Sequence, residues 1–306
     1  MAIGQLAYVA LVSRDPAAAS ELFERHLGLP RNDLAYEGGT LPAFSIGRAA
    51  LVVCPLEHAL VEGDAQPGVH HIALAVGDLR RATERLQEAG IGASPEAPGF
   101  AGRAMRRVDR SATVGVRTVL TEPLALAAHS AGSIERIDHL GVASTDVGED
   151  ERVFSRKFEF EVESRQTDME VVMAVESFTS DKYGVIYHNR KPEPVGGLRV
   201  CFITVGDCEL EFLANFNPQQ GAEVRHGEPG TTRQDQGAIT RFVQSRGRGL
   251  HHIALKSPDI NGTLAQLARA GLPMIDTVGR PGSRRALIGF PHPKALGGVL
   301  MHIVQR

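Results

Sequence analysis

The stretches "GVHHIALAVGDL", residues 68–79, and "GLHHIALKSPDI", residues 249–260, agree at seven of their twelve positions. A strand word written twice in one chain points to internal duplication, and a repeat at this spacing decides the architecture. Working outward, four segments share one grammar. Each has a short β-rich run that is apolar at alternate positions, a turn with Asp or Pro, and an amphipathic helix. They begin at Leu6, Val69, Ile137 and Leu250. Asp15, Asp78, Asp146 and Asp259 stand where a helix N-cap belongs, and Gly28, Gly90 and Gly271 where a glycine stop belongs. Further short strands follow every helix, so the unit is βαβββ and the fold class is α+β. The stretch "EPLALAAHSAGS", Glu122–Ser133, reads as a linker. It divides the chain into an N-terminal domain, residues 1–125, and a C-terminal domain, residues 126–306. The third repeat carries an insertion of roughly twenty residues around Met169–Pro194, a candidate lid or dimer contact.

The bulk properties agree with a two-domain globular protein. A chain of 306 residues exceeds the usual single core, and 42% hydrophobic with 23% charged residues is an ordinary globular balance. The net charge of −3 offers no nucleic-acid or acidic-membrane surface. Cys54, Cys201 and Cys208 form no CxxC pair, which argues for a reducing compartment. There is no apolar run of the roughly 18–20 residues needed to span a bilayer. The N-terminal sequence reads straight into a strand without a basic leader, so the cytoplasm is the expected location.

Strand parity separates core from site. In "HHIAL", His251, Ile253 and Leu255 share the face expected to pack on the helix, and His252 and Ala254 share the concave face. In "IDHLGVA", His139 and Gly141 take the equivalent concave positions. The last strands add Glu209 and Glu211 in "CELEFL", and His302 in "GGVLMHIV". Buried imidazoles and carboxylates are costly unless paired or metal-bound. His139, Glu211, His252 and His302 are therefore the candidate ligands of one divalent ion: Fe, Co, Ni, Mn or Zn. The first domain is an internal control. The same alignment places Tyr8, Val52, His71 and Val119 at those positions, so only one ligand-type residue remains. That half is expected to bind no metal.

Four βαβββ units in two domains resemble the vicinal oxygen chelate superfamily, which holds glyoxalase I, bleomycin resistance proteins, extradiol dioxygenases and methylmalonyl-CoA epimerase. Over Ile137–Gln305 the words "IDHLGVAS", "VGDCELEFLANFNP", "ITRFVQSRGRGLHHIALKSPDI" and "GRPGSRRALIGFPHPKALGGVL" are similar to methylmalonyl-CoA epimerase. The resemblance implies tandem cupped sheets and places the metal on His139, Glu211, His252 and His302. Three departures stand out. The family's last ligand is a glutamate where this chain has His302. A glutamate proposed as base in some epimerases reads Arg199, and the first domain and the third-repeat insertion are extra.

The expectation that follows is a metal-dependent epimerase, isomerase or lyase. It would act through a metal-stabilised enolate on a small carbonyl substrate, an acyl-CoA or a 2-oxo acid. Glu211 and Glu209 are the base candidates. The alternative is an Fe(II)-dependent extradiol or oxo-acid dioxygenase, with Tyr183, Tyr187 and His188 as accessory acids. A non-catalytic small-molecule binder is the third reading, disfavoured by aromatics at 5% and no Trp. Arg280, Arg284, Arg285 and Lys294 form a basic cluster that could meet a substrate anion. The polar loop His226–Gly237 is expected beside the pocket. The only partner expected is a small molecule, with no nucleic acid or membrane; a homodimer is compatible with this fold.

Overall fold

In the computed structural model the described residues are 3–61, 66–172, 175–189, 193–216 and 237–306. The first sheet contains β1 (Gln5–Ser13), β2 (Arg31–Tyr36), β3 (Gly39–Ile46) and β4 (Ala49–Pro55). It continues with β5 (Gly68–Ala75), β6 (Ala97–Pro98), β7 (Ala104–Arg107) and β8 (Thr118–Thr121). The second half opens with β9 (Arg136–Ala143) and β10 (Val162–Val172), then the hairpin β11 (Val175–Ser180) and β12 (Gly184–Asn189). Next come β13 (Glu193–Val205), β14 (Cys208–Phe216), β15 (Gly249–Lys256) and β16 (Arg280–Pro281). The last strands are β17 (Leu287–Gly289) and β18 (Met301–Gln305).

Strand order is β2-β3-β4-β1-β5-β8-β7-β6 in the first sheet and β10-β13-β14-β9-β15-β18-β17-β16 in the second. These are the same order, unit for unit. In each sheet the two βαβββ units join by antiparallel pairing of their first strands, β1 with β5 and β9 with β15. These central strands are buried on both faces, one against helices and the other inside the cup. That accounts for their near-continuous apolar character.

The repeat helices are α1 (Pro16–Glu21), α2 (Leu79–Glu88), α3 (Val147–Glu151) and α5 (Ile260–Arg269), with α4 (Ala238–Arg246) between the last two. Asp15, Asp78, Asp146 and Asp259 each accept a backbone N–H two or three residues on, satisfying donors the helix leaves open. In the first and third units the α-helix passes into wider π-type turns, Leu22–His26 and Arg152–Lys157. The helix α4 lies outside the repeat grammar. It packs Ile239, Phe242 and Val243 against Phe202 and Leu213 of the second sheet.

A single apolar layer runs through both halves, formed by the helix-facing sides of the two sheets. Phe154 is fully buried there, its ring 5.2 Å from Phe158 and 5.0 Å from Phe212. The cup of the first sheet is filled by its own side chains. The Tyr8 ring lies 5.1 Å from Phe100, and Phe100 lies 5.4 Å from Tyr36. The stretch read as a linker docks on that cup: Leu124 and Leu126 pack against it, and the Ala127 N–H donates to Asn32 Oδ1 at 2.8 Å.

The third-repeat insertion lengthens β10 and adds the separate β11–β12 hairpin, whose Tyr183, Val185 and Ile186 are exposed. The Tyr187 and His188 side chains, and the loop His226–Gly237 except Gly237 itself, lie outside the described residues.

Candidate metal centre

Two adjacent rows across the second sheet build the site. In one, Glu211 pairs with Gly141, and Gly141 with His252. In the other, His139 pairs with Ala254, and Ala254 with His302. Each row sets a small residue between two donors, which leaves room over the middle strand for the donors to converge. At Gly141 the requirement is strict: a Cβ there would lie 2.0 Å from Cε1 of His252. The imidazole lies across the bare glycine.

His139, His252 and His302 bring one nitrogen each within 4.8 Å of one another. Glu211 Oε2 sits 3.4 Å from His139 Nε2 and 3.3 Å from His252 Nε2. All four residues are buried. The His139 and His302 rings lie 5.1 Å apart, and those of His252 and His302 5.0 Å apart.

Strict parity placed His251 with Ile253 on the helix face, and the structure corrects this. Antiparallel pairing of β9 with β15 skips a residue at His251 and another at Asp138, so each occupies a β-bulge. A bulge re-aims the side chain of the extra residue. Asp138 thereby bonds the residue after it, Oδ2 to His139 Nδ1 at 2.9 Å. His251 likewise meets its successor, Nδ1 to His252 Nδ1 at 2.9 Å. Each of these two histidines is held through Nδ1 and presents Nε2 to Glu211.

The electrostatics fit a cation. Burial alone would raise the Asp138 pKa, but the hydrogen bond and charge of His139, with Arg306, outweigh it and hold it low. An ionised Asp138 accepts a hydrogen bond from His139 Nδ1 and so leaves Nε2 as the nitrogen turned to the cavity. Burial likewise opposes the charge on Glu211, yet His139, His252 and Arg284 lower its pKa overall. Burial lowers the pKa of His252, and burial with the neighbouring His252 and His139 holds His302 well below the usual imidazole range. Burial thus favours the neutral, ligand-competent form of His252 and His302 beside an ionised Glu211, which suits the group to a cation. His302 Nδ1 is buried with no hydrogen-bond partner among the described residues. An orphaned nitrogen of this kind is costly unless something ligates it. Three imidazoles and a carboxylate form a donor set suited to Zn, Fe, Mn, Co or Ni.

Glu209 lies in the same row as His139 but faces a different company. Arg284 Nη1 donates to its Oε2 at 2.7 Å and Arg306 Nη2 at 3.0 Å. Both guanidiniums bind the carboxylate directly, so the geometry gives Glu209 an ion-pairing position. Of the basic cluster read from the sequence, Arg280 and Arg284 line the site cavity, and Arg285 and Lys294 do not. The Arg284 guanidinium lies 3.5 Å above the Phe202 ring. Arg284 and Arg285 both hold left-handed backbone, φ 54° and 59°, a costly conformation that clusters at ligand clamps.

The cavity has a volume of about 420 Å³. Phe202, Ile239, Leu213, Ile288 and Phe290 give it apolar walls, and the four donors lie at its floor. Sequence reasoning missed three residues around it: Asp138, His251 and Asp168. The last sits on β10 and meets Ser283, a cavity residue, with Oδ2 3.5 Å from its Oγ. Burial first, then the charge of Glu211, raises its pKa. The only trace of Asp138 and His251 in the sequence is adjacency, since "IDH" and "HH" set a polar residue directly before His139 and His252.

The first sheet repeats the frame without the donors. Its rows read Val52–Ala10–His71 and Tyr8–Ala73–Val119. His70 occupies the matching bulge and meets His71 Nδ1 at 2.8 Å. The Tyr8 hydroxyl lies 3.3 Å from His71 Nε2, where the second sheet sets Glu211 beside His252 Nε2.

Residues 138–290 match one family model and residues 5–110 another, both described as the Glyoxalase/Bleomycin resistance protein/Dioxygenase superfamily. The chain belongs to that superfamily, with two tandem cupped-sheet domains of the vicinal oxygen chelate type. A mitochondrial methylmalonyl-CoA epimerase of Mus musculus is 24% identical over 130 residues, covering 42% of this chain. The chain spans 64% of that enzyme's length. A 4-hydroxymandelate synthase variant from Streptomyces coelicolor aligns over 100% of this chain and 93% of its own, at 17% identity and a TM-score of 0.62. A methylmalonyl-CoA epimerase from Streptomyces coelicolor aligns over 56% of this chain and 95% of its own, at 21% identity and a TM-score of 0.38. No helix among the described residues is long and apolar enough to cross a membrane.

Proposed function

We propose that this chain is a metal-dependent enzyme of the epimerase, isomerase or lyase type, acting beside the carbonyl of a small acyl-CoA or 2-oxo acid. The observation that carries the reading is the number of donors. His139, His252 and His302 converge within 4.8 Å, and Glu211 Oε2 joins two of them. Four protein donors would leave two positions on an ion that takes six ligands, enough for a substrate bound through two oxygens. A chelating substrate together with dioxygen would need three. A divalent ion held there supplies Lewis acidity, which makes a C–H bond beside a coordinated carbonyl easier to ionise.

The chain's own residues supply the rest. Asp138 and His251 fix the two Nδ1 atoms and so aim both Nε2 atoms into the cavity. Phe202, Ile239 and Leu213 exclude water from the reacting carbon. Asp168, its pKa raised by burial and by Glu211, takes the proton: the C–H bond breaks, an O–H bond forms on the carboxylate, and the electron pair moves toward the carbonyl oxygen. Return of a proton to either face completes an epimerisation.

A second reading, an Fe(II) dioxygenase, is favoured by Glu211 Oε2 lying 3.4 Å from His139 Nε2 and 3.3 Å from His252 Nε2, a two-histidine, one-carboxylate set that is complete without His302. If His302 stays off the metal, His139, His252 and Glu211 leave three open positions. The two readings separate in one assay. Protein loaded in turn with Zn, Co, Ni, Mn or Fe is offered a panel of acyl-CoAs, 2-oxo acids and catechols in D₂O. Deuterium wash-in beside a carbonyl without oxygen uptake supports the isomerase. Oxygen consumption by the iron form, without wash-in, rejects it in favour of the dioxygenase.

A further inference from the structure

A second cavity, of about 350 Å³, opens between the two halves of the chain. Its walls come from the start of β5, the turn at residues 110–117, the C-terminal end of α4 and the start of β15. Four arginines line it, Arg110, Arg117, Arg246 and Arg248, together with His70, and no acidic residue among those described does so. The arginines are positioned, not loose. Arg110 donates to the main-chain oxygens of Gly115 at 3.0 Å and of Arg248 at 3.2 Å. Arg246 donates to the Pro67 oxygen at 2.8 Å, and its guanidinium stacks 5.5 Å from the Phe242 ring. Arg248 is paired with Glu149 and Asp150 behind the wall. Main-chain carbonyls orient the Arg110 and Arg246 guanidiniums without neutralising their charge.

The two halves touch at this place through glycines. A Cβ on Gly115 would lie 2.4 Å from the Arg248 oxygen, and one on Gly249 would lie 2.9 Å from the Gly115 oxygen. Side chains there would hold the halves apart. Their absence lets Arg110 and Arg117 from one half meet Arg246 and Arg248 from the other. Arg110 and Arg246 are exposed to an entering ligand, and no acidic residue among those lining the cavity offsets their charge, so an anion there would meet guanidiniums from both halves. Burial, and then the charge of Arg14, lowers the Arg246 pKa, consistent with a cation short of counter-charge.

We propose that this cavity is an anion site for a phosphate-bearing small molecule of the diphosphate class, clamped between the two halves of the chain. Arginine suits this task because its planar fork meets phosphate oxygens in pairs. A carboxylate would use only one of the converging guanidiniums, whereas a diphosphate can engage several. The site is distinct from the metal cavity, although α4 walls both: Ala238 and Ile239 face the metal cavity, and Phe242, Ser245 and Arg246 face this one.

The test is calorimetric titration of the full metal-free chain with inorganic pyrophosphate, then with ADP, at low and moderate salt. Binding should weaken as salt rises. Arg246→Gln and Arg110→Gln should each raise the Kd at least tenfold, Arg246→Lys should restore part of the loss, and Arg25→Gln, an exposed arginine that does not line the cavity, should change nothing. Melting curves of all variants report folding. Tighter binding of ADP than of pyrophosphate assigns the anion to a nucleotide; equal binding assigns it to free polyphosphate. The absence of heat with both probes at millimolar concentration overturns the proposal, as does a Kd indifferent to both glutamine substitutions. The same titration on His139→Ala keeps this result separate from the metal site: pyrophosphate binding should be unchanged there even if no metal is ever found.

Discussion

Asp138 and His139 are consecutive on one strand, yet their side chains bond each other, Oδ2 to Nδ1 at 2.9 Å. Regular pleating would send them to opposite faces; the β-bulge at Asp138 brings them to the same side. The bond fixes which nitrogen of His139 carries its proton, and Arg306 Nε, 3.1 Å from Asp138 Oδ1, keeps the acceptor ionised. Asp138→Asn should therefore weaken divalent-metal affinity by about 10–100-fold, the usual cost of losing the partner behind a ligand histidine. Chelator-competition titration of the folded variant measures it; an unchanged affinity would separate Asp138 from the metal.

Gly141→Ala is the smallest change that attacks the centre directly. Its methyl would meet the His252 ring at 2.0 Å, so the imidazole must leave its place over the strand. Metal binding should drop at least tenfold while the circular dichroism spectrum stays native, and stability should fall by about 1–3 kcal/mol from overpacking. The matching position in the first sheet is already alanine, Ala10, beside His71. A fully metal-competent Gly141→Ala protein would show that the ring can be accommodated elsewhere.

Asp168 and Glu209 should behave differently under isosteric change. Asp168→Asn removes the proposed proton acceptor and should cut kcat for deuterium wash-in by at least about 100-fold, leaving metal affinity intact. Glu209→Gln breaks the pairing with Arg284 and Arg306, 2.7 Å and 3.0 Å away, and should show mainly as a lower melting temperature. The reverse pattern would return the base role to Glu209.

The first domain offers a pH test free of metal. Burial, and then the charges of His70, Arg107 and Arg117, hold His71 well below its ordinary pKa of 6.5. Unfolded, His71 binds a proton near pH 6.5; folded, it stays neutral. Its contribution is thus constant above that pH and turns against the fold as pH drops toward the lower, folded pKa, by roughly 1.4 kcal/mol per pH unit. In urea unfolding at pH 6.5 and 5.5, His71→Gln should lose about 1 kcal/mol less stability between the two than the parent, since half of the unfolded histidine is already protonated at pH 6.5. Equal losses would contradict a neutral, buried His71.

Much of this was legible in the residues. The duplicated "HHIAL" word exposed the repeat, and repeat position combined with parity selected His139, Glu211, His252 and His302, which the sheet register places in two adjacent rows. What parity could not reveal lies where the pleat breaks. Asp138 and His251 occupy bulges, and a bulge depends on how two distant strands pair, which a single strand's pattern does not encode. The partners of Glu209 escaped it for a similar reason, since Arg284 and Arg306 come from a strained turn and from the residue after β18. The helix α4 was read only as part of a family-like word, because it has no counterpart in the other three units.

The central claim is that the second cup holds a divalent ion and the first does not. Elemental analysis of protein purified without added metal, and again after incubation with a divalent-metal mixture and desalting, tests it most directly. A single first-row ion per chain is expected, absent from His139→Ala and His252→Ala and retained in full by His71→Ala. A parent protein that stays metal-free after incubation, or ligand variants that keep the ion, would contradict the account.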